Sequence, residues 1–344
     1  MRKFFIILLL LILVGGGAAA YALYQMFYGA AVPEEFSVRI TPRTDYELIV
    51  EKVKQNSKYN RAFEFYADYL DLKNAFRTGT FVIEKGMSVM TIVRTLKYGE
   101  SKTLRLTINN ARTPEALAKK IAARSHITEE EMLSTLRDKR LIAELGFKSA
   151  EEMFSIFLPN TYEVPCDISP RELVLKFKAE SDKYWSSPVR QEQLKRLGFT
   201  QLEAMTLASI VHEETNAQSE MARIAGVYIN RLNKGMLLQA DPTVKYALGD
   251  PTVKRILKRH LKIESPYNTY INEGLPPAPI AMPDMVAIEA VLEYEKHDYI
   301  YFCARPEFDG KHNFARTHRE HEANAKAYHN ALNELEKRKK QKKN

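Results

Sequence analysis

Between Thr200 and Thr215 the sequence describes a helix whose apolar stripe runs into a carboxylic acid, and this run constrains the rest of the chain more than any other. Thr200 with Glu203 three places on reads as a capping box that starts a helix. Leu207, Ile210 and Val211 then recur at helical spacing, and the next member of that stripe is Glu214. On a helix of about 3.6 residues per turn, Glu213 lies roughly 120° and His212 roughly 140° from Leu207, so both point off the stripe. Glu214 is the carboxyl that the pattern turns toward the apolar side. Apolar surroundings keep a carboxyl protonated to higher pH, which suits a general acid. The blander reading is a carboxylate ending a helix at a solvated edge, and the pattern alone leaves both open.

Ser219 opens a second helix carrying Ile224, Val227, Tyr228 and Leu232, with Asn230 and Arg231 near its end and Gly235 closing it. Leu238 to Tyr246, Ser265 to Tyr270 and Gly274 to Ile280 then read as one long connection dense in Pro, Tyr, Asn and Thr. Long connections in compact domains are functional or disordered, and this one is too aromatic for disorder. Tyrosine faces beside amides and hydroxyls suit a sugar-binding cleft, stacking on pyranose rings and bonding their hydroxyls. A packed bundle of loops explains the same residues equally well.

The N-terminus speaks to location. Met1-Arg-Lys precedes an uncharged, largely apolar run from Phe4 to about Tyr24, long enough to cross about 30 Å of hydrocarbon. Arg2 and Lys3 favour a cytoplasmic N-terminus, with the body of the chain outside. A cleaved signal peptide, cut at Ala18-Ala19-Ala20, competes with this reading. Apolar character persists through Leu23, Met26 and Phe27 and favours a retained anchor. The net charge of +8 is partly local, since residues 337–344 carry six positive charges that read as a solvated, disordered tail. No nucleic-acid reader motif accompanies that charge. Cys166 and Cys303 lack metal or redox spacing and read as buried thiols, although a disulfide is allowed outside the cytoplasm. His312, His318 and His321 have no carboxylate or cysteine completing a ligand set, so no metal is expected.

In chain order, Phe36–Thr41 alternates as a strand, Tyr46–Gln55 and Arg61–Leu70 as helices, Gly79–Ile83 as a strand and Val89–Leu96 as a helix closed by Gly99. This βααβ unit could bind polymer or serve as plain scaffold. A looser echo follows: strand Thr103–Thr107, helices Pro114–Ala123 and Glu129–Arg137, and a strand or loop edge at Phe157–Val164. Helices at Arg171–Lys183 and Val286–Glu293, a strand at Asp298–Cys303 and a helix from about Arg316 to Lys337 complete an α+β chain.

Several blocks together carry a resemblance: Ala208-Ser-Ile-Val with Glu214-Thr, Ser219-Glu220, Val227 to Leu232, Gly235 to Val244, Ser265 to Tyr270 and Gly274-Leu-Pro-Pro277. With Phe157 to Tyr162 and His312, Phe314 and His321, these resemble the endolytic murein transglycosylases (the YceG-like family). The resemblance covers nearly the whole chain, and its N-terminal part matches more by layout than by sequence. It implies a membrane-anchored enzyme with a LysM-like subdomain and an α+β catalytic domain, needing no cofactor or metal. The substrate implied is peptidoglycan glycan strands, cleaved between MurNAc and GlcNAc to leave 1,6-anhydro ends. Peptidoglycan synthases are implied as neighbours, and nucleic acid is not.

The catalytic glutamate of the family falls on Glu214. Asn230, Gln239, Asp241, Tyr267 and Asn268 are candidates for positioning sugars or supporting that acid, and Glu220 for the cleft or a helix-start cap. The departures are His212 where glutamate is common, Glu213 where lysine is frequent, Ala278 for glycine and Asn160 for aspartate. His212 puts the titration of the acid in question. The layout expected is a cytoplasmic tail at 1–3, a membrane span at 4–25, the LysM-like subdomain at 33–102, the catalytic domain at 103–336 and the basic tail at 337–344. Two rivals stand beside it: a muramidase using Asp241 or Glu220 as a second carboxyl, and a non-catalytic wall-binding scaffold.

Overall fold

Thr200 and Glu203 form the reciprocal cap that the sequence predicts. The Glu203 amide donates to the Thr200 hydroxyl at 3.2 Å and the Glu203 carboxylate accepts the Thr200 amide at 2.7 Å. The same device starts helices at Thr128 with Glu131 and at Ser169 with Glu172. The computed structural model describes residues 2–40, 44–250, 253 and 255–341, and within helices it leaves out the side chains of 2–13, 336 and 338–340.

The chain divides into two units, residues 1–105 with 163–168, and residues 106–162 with 169–344. The first holds α1 (Arg2–Tyr28), β1 (Phe36–Ile40), α2 (Tyr46–Asn56), α3 (Asn60–Tyr69), α4 (Leu72–Ala75), β2 (Gly79–Ile83) and α5 (Val89–Tyr98). Strands β1 and β2 pair antiparallel, with Val38 opposite Phe81 and Phe36 opposite Ile83. Their inner faces close with Phe63, Ile92, Val93 and Leu96 into one buried cluster, which gives the βααβ unit its own core. Residues 163–168 join this unit late in sequence, and the buried Thr80 hydroxyl donates to Asp167 at 2.6 Å. The expected membrane span falls on α1. The side chains of residues 4–13 lie outside the description, and among the described residues no helix is long and apolar enough to cross a membrane.

Strands β3 (Thr103–Ile108) and β4 (Asn160–Pro165) pair with each other. Between them run α6 (Pro114–Ala122), α7 (Glu129–Leu136), α8 (Lys139–Glu144) and α9 (Ala150–Met153). After them come α10 (Pro170–Trp185), α11 (Pro188–Leu197), α12 (Gln201–Glu214), α13 (Gln218–Asn233), α14 (Asp241–Leu248), α15 (Met285–Leu292), β5 (Tyr301–Ala304), β6 (His312–Ala315) and α16 (His318–Gln341). Helix α14 corrects the reading of Leu238–Tyr246 as loop, because Pro242 sits in the first turn of a helix. The strand expected at Asp298–Cys303 is shorter and later, pairing as β5 with β6 through Phe302 opposite Phe314. Helix α16 continues to Gln341, and residues 342–344 of the expected tail lie outside the description. Cys166 and Cys303 are free thiols, each half-buried where full burial was expected.

Helix α12 is the core of the second unit. Residues Ala204 to Val211 are all buried, so the helix is enclosed all round and not along one stripe. Helices α13 and α15 pack on it. The proline-rich segment covers another side, where the buried Ser209 hydroxyl accepts the Ile280 amide at 3.0 Å and donates to the Thr206 carbonyl at 2.7 Å. Gly226 on α13 lets the chain at Glu295–His297 lie directly against the helix, since a methyl group there would run into the Glu295 carbonyl and stand 2.7 Å from His297 Nε2. Ser209→Ala leaves the buried Ile280 amide without its acceptor and is expected to destabilise the protein by about 1–3 kcal/mol. Chemical denaturation measures this, and an unchanged midpoint would show that the segment is held by other contacts.

Candidate active site

Glu214 is the last residue of α12, and Thr215 leaves the helix in extended conformation. Its carboxylate lies at the negative end of the helix dipole, partly exposed but walled by protein on most sides. One oxygen accepts a hydrogen bond from Tyr228 Oη at 2.5 Å. Tyr228 comes from the neighbouring α13, is buried, and has Phe302 edge-on at 5.8 Å. Burial is the largest influence on Glu214, and the negative charges of Asp241 and Glu213 act in the same direction. The Tyr228 hydrogen bond and the Arg231 charge oppose them, and the balance raises the Glu214 pKa to about 7. Burial, then the Glu214 charge, pushes the Tyr228 phenol upward, so it remains a donor.

Arg231 follows Tyr228 by three residues and so shares its face of α13. It is buried and bonds backbone carbonyls: Ile300 at 2.6 Å through Nε, Leu238 at 2.9 Å and Leu237 at 3.2 Å through Nη1. Its plane lies 5.2 Å from the Tyr301 ring, which itself stacks on His321. The guanidinium therefore fixes the 237–239 segment while contributing only a field at Glu214.

Gln239 closes this wall in the left-handed region at φ 51°, a conformation a side chain holds only where its surroundings impose it. Its amide donates to Thr269 O at 3.0 Å, its side-chain oxygen accepts from Arg231 at 3.3 Å, and the Ala240 amide donates to the Thr269 hydroxyl at 3.0 Å. Asp241, next in sequence, is exposed and accepts the Tyr270 hydroxyl at 2.6 Å. Arg231, Thr269 and Tyr270 thus hold Gln239 and Asp241 in place, and the Asp241 charge acts on Glu214.

The remaining candidates act on the scaffold. The Asn230 amide donates to the carbonyls of His297 and Tyr299 at 2.7 and 3.0 Å. Asn268 is fully buried, donating to Leu261 O and Ile263 O and accepting the Tyr270 amide at 3.0 Å. It thereby shapes the loop that presents Tyr270. Tyr267 packs its half-buried ring 4.7 Å from Tyr246. Glu220 neither caps α13 nor opens into a cleft: its buried carboxylate accepts the His312 amide at 3.1 Å and lies 3.0 Å from His312 Nδ1, tying α13 to β6. Among the described residues no group of three or more His, Cys, Asp or Glu could hold a metal ion.

Glu213 turns into a groove of about 740 Å³ that includes Tyr246, Pro242 and Ile280, and it takes a two-pronged ion pair from Arg112 at 3.0 and 2.6 Å. His212 lies 3.4 Å from Asn110 Oδ1 and 3.5 Å from Asp284, away from the carboxyl of Glu214 in its hydrogen bonding.

The sequence model of the YceG-like family matches residues 38–327. An endolytic murein transglycosylase of Bacillus subtilis is 29% identical over 314 residues, covering 87% of this chain and 86% of that protein. One from Streptococcus pneumoniae is 27% identical over 303 residues, covering 80% of this chain and 54% of its own length, so this chain spans about half of that relative. The crystal structure of a yceG-like protein from Listeria monocytogenes superposes with a TM-score of 0.56 at 28% identity, covering 85% of this chain and 99% of that one.

Two measurements follow from the electrostatics. The Glu214 carboxyl, followed by carbon-13 NMR, is expected to titrate near pH 7, higher in Tyr228→Phe because the carboxylate loses its donor, and lower in Asp241→Asn. A midpoint near 4.5 in the native protein would remove the basis for an acid. A carboxyl whose folded pKa is raised destabilises the fold increasingly as pH climbs from its unfolded pKa of 4.5 through 7. Glu214→Gln is therefore expected to raise the thermal midpoint more at pH 8 than at pH 4, and equal shifts would contradict the burial argument.

Proposed function

This chain belongs to the YceG-like family, and from that premise we propose that it is an endolytic lytic transglycosylase acting on peptidoglycan, with Glu214 as its one catalytic carboxyl. The observation that carries this reading is a partly enclosed carboxyl that keeps its proton to about pH 7 and has a buried phenol waiting on its conjugate base. A general acid works best when its pKa lies near the operating pH.

In the first step Glu214 donates its proton to the oxygen linking MurNAc to GlcNAc. The bond from MurNAc C1 to that oxygen breaks, and C1 takes on oxocarbenium character. The Tyr228 hydroxyl stabilises the carboxylate that appears at this moment. The exposed Asp241, held by Tyr270, adds negative potential near the developing positive charge. In the second step the Glu214 carboxylate accepts the proton of the MurNAc C6 hydroxyl, O6 bonds to C1, and a 1,6-anhydro ring closes. The acid ends protonated as it began. The nucleophile belongs to the sugar, so the step gains from proximity and consumes no water.

A two-carboxylate hydrolase needs a second group able to act as nucleophile or as base for water. Glu220 is committed to His312, which disfavours it in that role. Asp241 is the carboxylate on which a muramidase reading would rest. A non-catalytic scaffold gives no reason to hold a desolvated acid against a phenol.

The reading extends to location and partners. The helix Arg2–Tyr28, which begins with the positive residues Arg2 and Lys3 and is uncharged from Phe4 to Tyr28, supports anchoring in the cytoplasmic membrane with the body on the extracytoplasmic side. The βααβ unit with its own core supports a LysM-like role in holding glycan. Cleavage of nascent strands near the membrane would set their length and bring the enzyme beside the synthases that make them.

Digestion of purified peptidoglycan, read by product mass, tests the reaction. Wild type is expected to yield 1,6-anhydroMurNAc ends, and Glu214→Gln to lose activity by at least about 10²–10⁴-fold, the range for removal of a general acid. Reducing ends from wild type would establish a hydrolase, and absence of turnover would establish a scaffold.

A further inference from the structure

The groove beside Glu213 holds charges that the cleavage chemistry does not use. Most are neutralised within the protein. Arg112 is paired with Glu213, Arg137 with Glu115 at 2.6 Å, and Asp250 has a partner of its own. Two of opposite sign are left. Lys245, half-buried in the last turn of α14, and Glu151, in the first turn of α9, have no side-chain hydrogen bond or ion pair among the described residues. Between them lies apolar surface from Phe154, Pro242, Tyr246 and Ile280. Glu151 and Tyr246 line the same groove, and the Tyr246 ring lies 4.7 Å from that of Tyr267.

A ligand complementary to this groove carries an amine and a carboxylate separated by small apolar groups. Its volume of about 740 Å³ falls within the ~300–1,000 Å³ of sites that enclose a ligand of that size. Position narrows the choice. Glu213 precedes the proton donor and Pro242 follows Asp241, and the charges of Glu213 and Asp241 both act on Glu214, so the groove borders the residues assigned to cleavage. In peptidoglycan a short peptide branches from the lactyl group of that same muramic acid. It contains alanine methyls, free carboxylates and the side-chain amine of a diamino acid.

We propose that this groove is the subsite for the peptide stem on the muramic acid undergoing cleavage, with Lys245 binding a stem carboxylate and Glu151 the diamino-acid amine. The assignment rests on the transglycosylase reading for its substrate and adds the part of that substrate recognised beyond the glycan. It makes the enzyme selective for strands that still carry stems over strands from which amidases have removed them.

The test uses the full chain in detergent and a free tetrapeptide, L-Ala-γ-D-Glu-diamino acid-D-Ala, with binding followed by calorimetry or NMR. Lys245→Ala and Glu151→Gln are each expected to weaken binding about tenfold or more, the effect of one charge-assisted hydrogen bond. Acetylation of the diamino acid's side-chain amine is expected to weaken binding to wild type by a similar factor and to abolish the further effect of Glu151→Gln, as a direct contact requires. In parallel, the ratio of kcat/KM on stem-bearing over amidase-stripped strands is expected to fall in both variants. No tetrapeptide binding, binding insensitive to both substitutions, or equal turnover of the two strand types by wild type would overturn the assignment. Tetrapeptide binding with the expected sensitivities but without turnover of either strand would support the subsite while overturning the transglycosylase reading.

Discussion

The hydrogen bond from Tyr228 to Glu214 joins the end of one buried helix to the middle of another, and the site depends on how those helices are held. Carboxyl and phenol meet where water is largely excluded, so the carboxylate is disfavoured by burial, by the helix C-terminus and by Asp241 and Glu213. One strong neutral donor opposes this and favours the carboxylate. Without the phenol the acid would hold its proton too firmly, and without burial it would already have lost it. The raised pKa is the net of these two opposed effects.

The scaffold around that pair is built to keep them facing. Glu220 ties α13 to β6 through His312, Asn230 holds the chain entering β5, and Arg231 braces the 237–239 segment against Tyr301. Each of these buried or half-buried polar groups has partners, as a low-dielectric interior requires. Ser209 performs the corresponding task on the other side of α12, where it secures the proline-rich segment. The polar residues that stand out in the sequence therefore divide into one acid, a few neighbours that tune it, and several that shape the walls.

Much of this was legible from local pattern. The Thr200–Glu203 cap, the strands at Phe36 and Gly79 and the emergence of Glu214 from an apolar helix all follow from spacing and propensity, which act within a few residues. What escaped depends on pairings between distant residues. Tyr228 sat within the apolar stripe of its own helix, and only the rule that a buried phenol seeks an acceptor hinted at a partner fourteen residues back. Leu238–Tyr246 reads as loop from its composition, and burial of Thr243 and Val244 accompanies its folding into α14. Strand β6 exists because β5 lies beside it, and residues 163–168 belong to a unit that the preceding residues 106–162 had left.

Where a single carboxyl serves both steps and the sugar supplies its own nucleophile, no oxygen from solvent enters the product. Digestion of peptidoglycan by the wild-type protein in water enriched in oxygen-18, followed by mass analysis of the muramic acid ends, tests this most directly. Products without the heavy isotope at C1 and with the mass of the anhydro form are expected. Incorporation of one oxygen-18 at C1 would show that water is the nucleophile and that a second group, with Asp241 foremost, activates it.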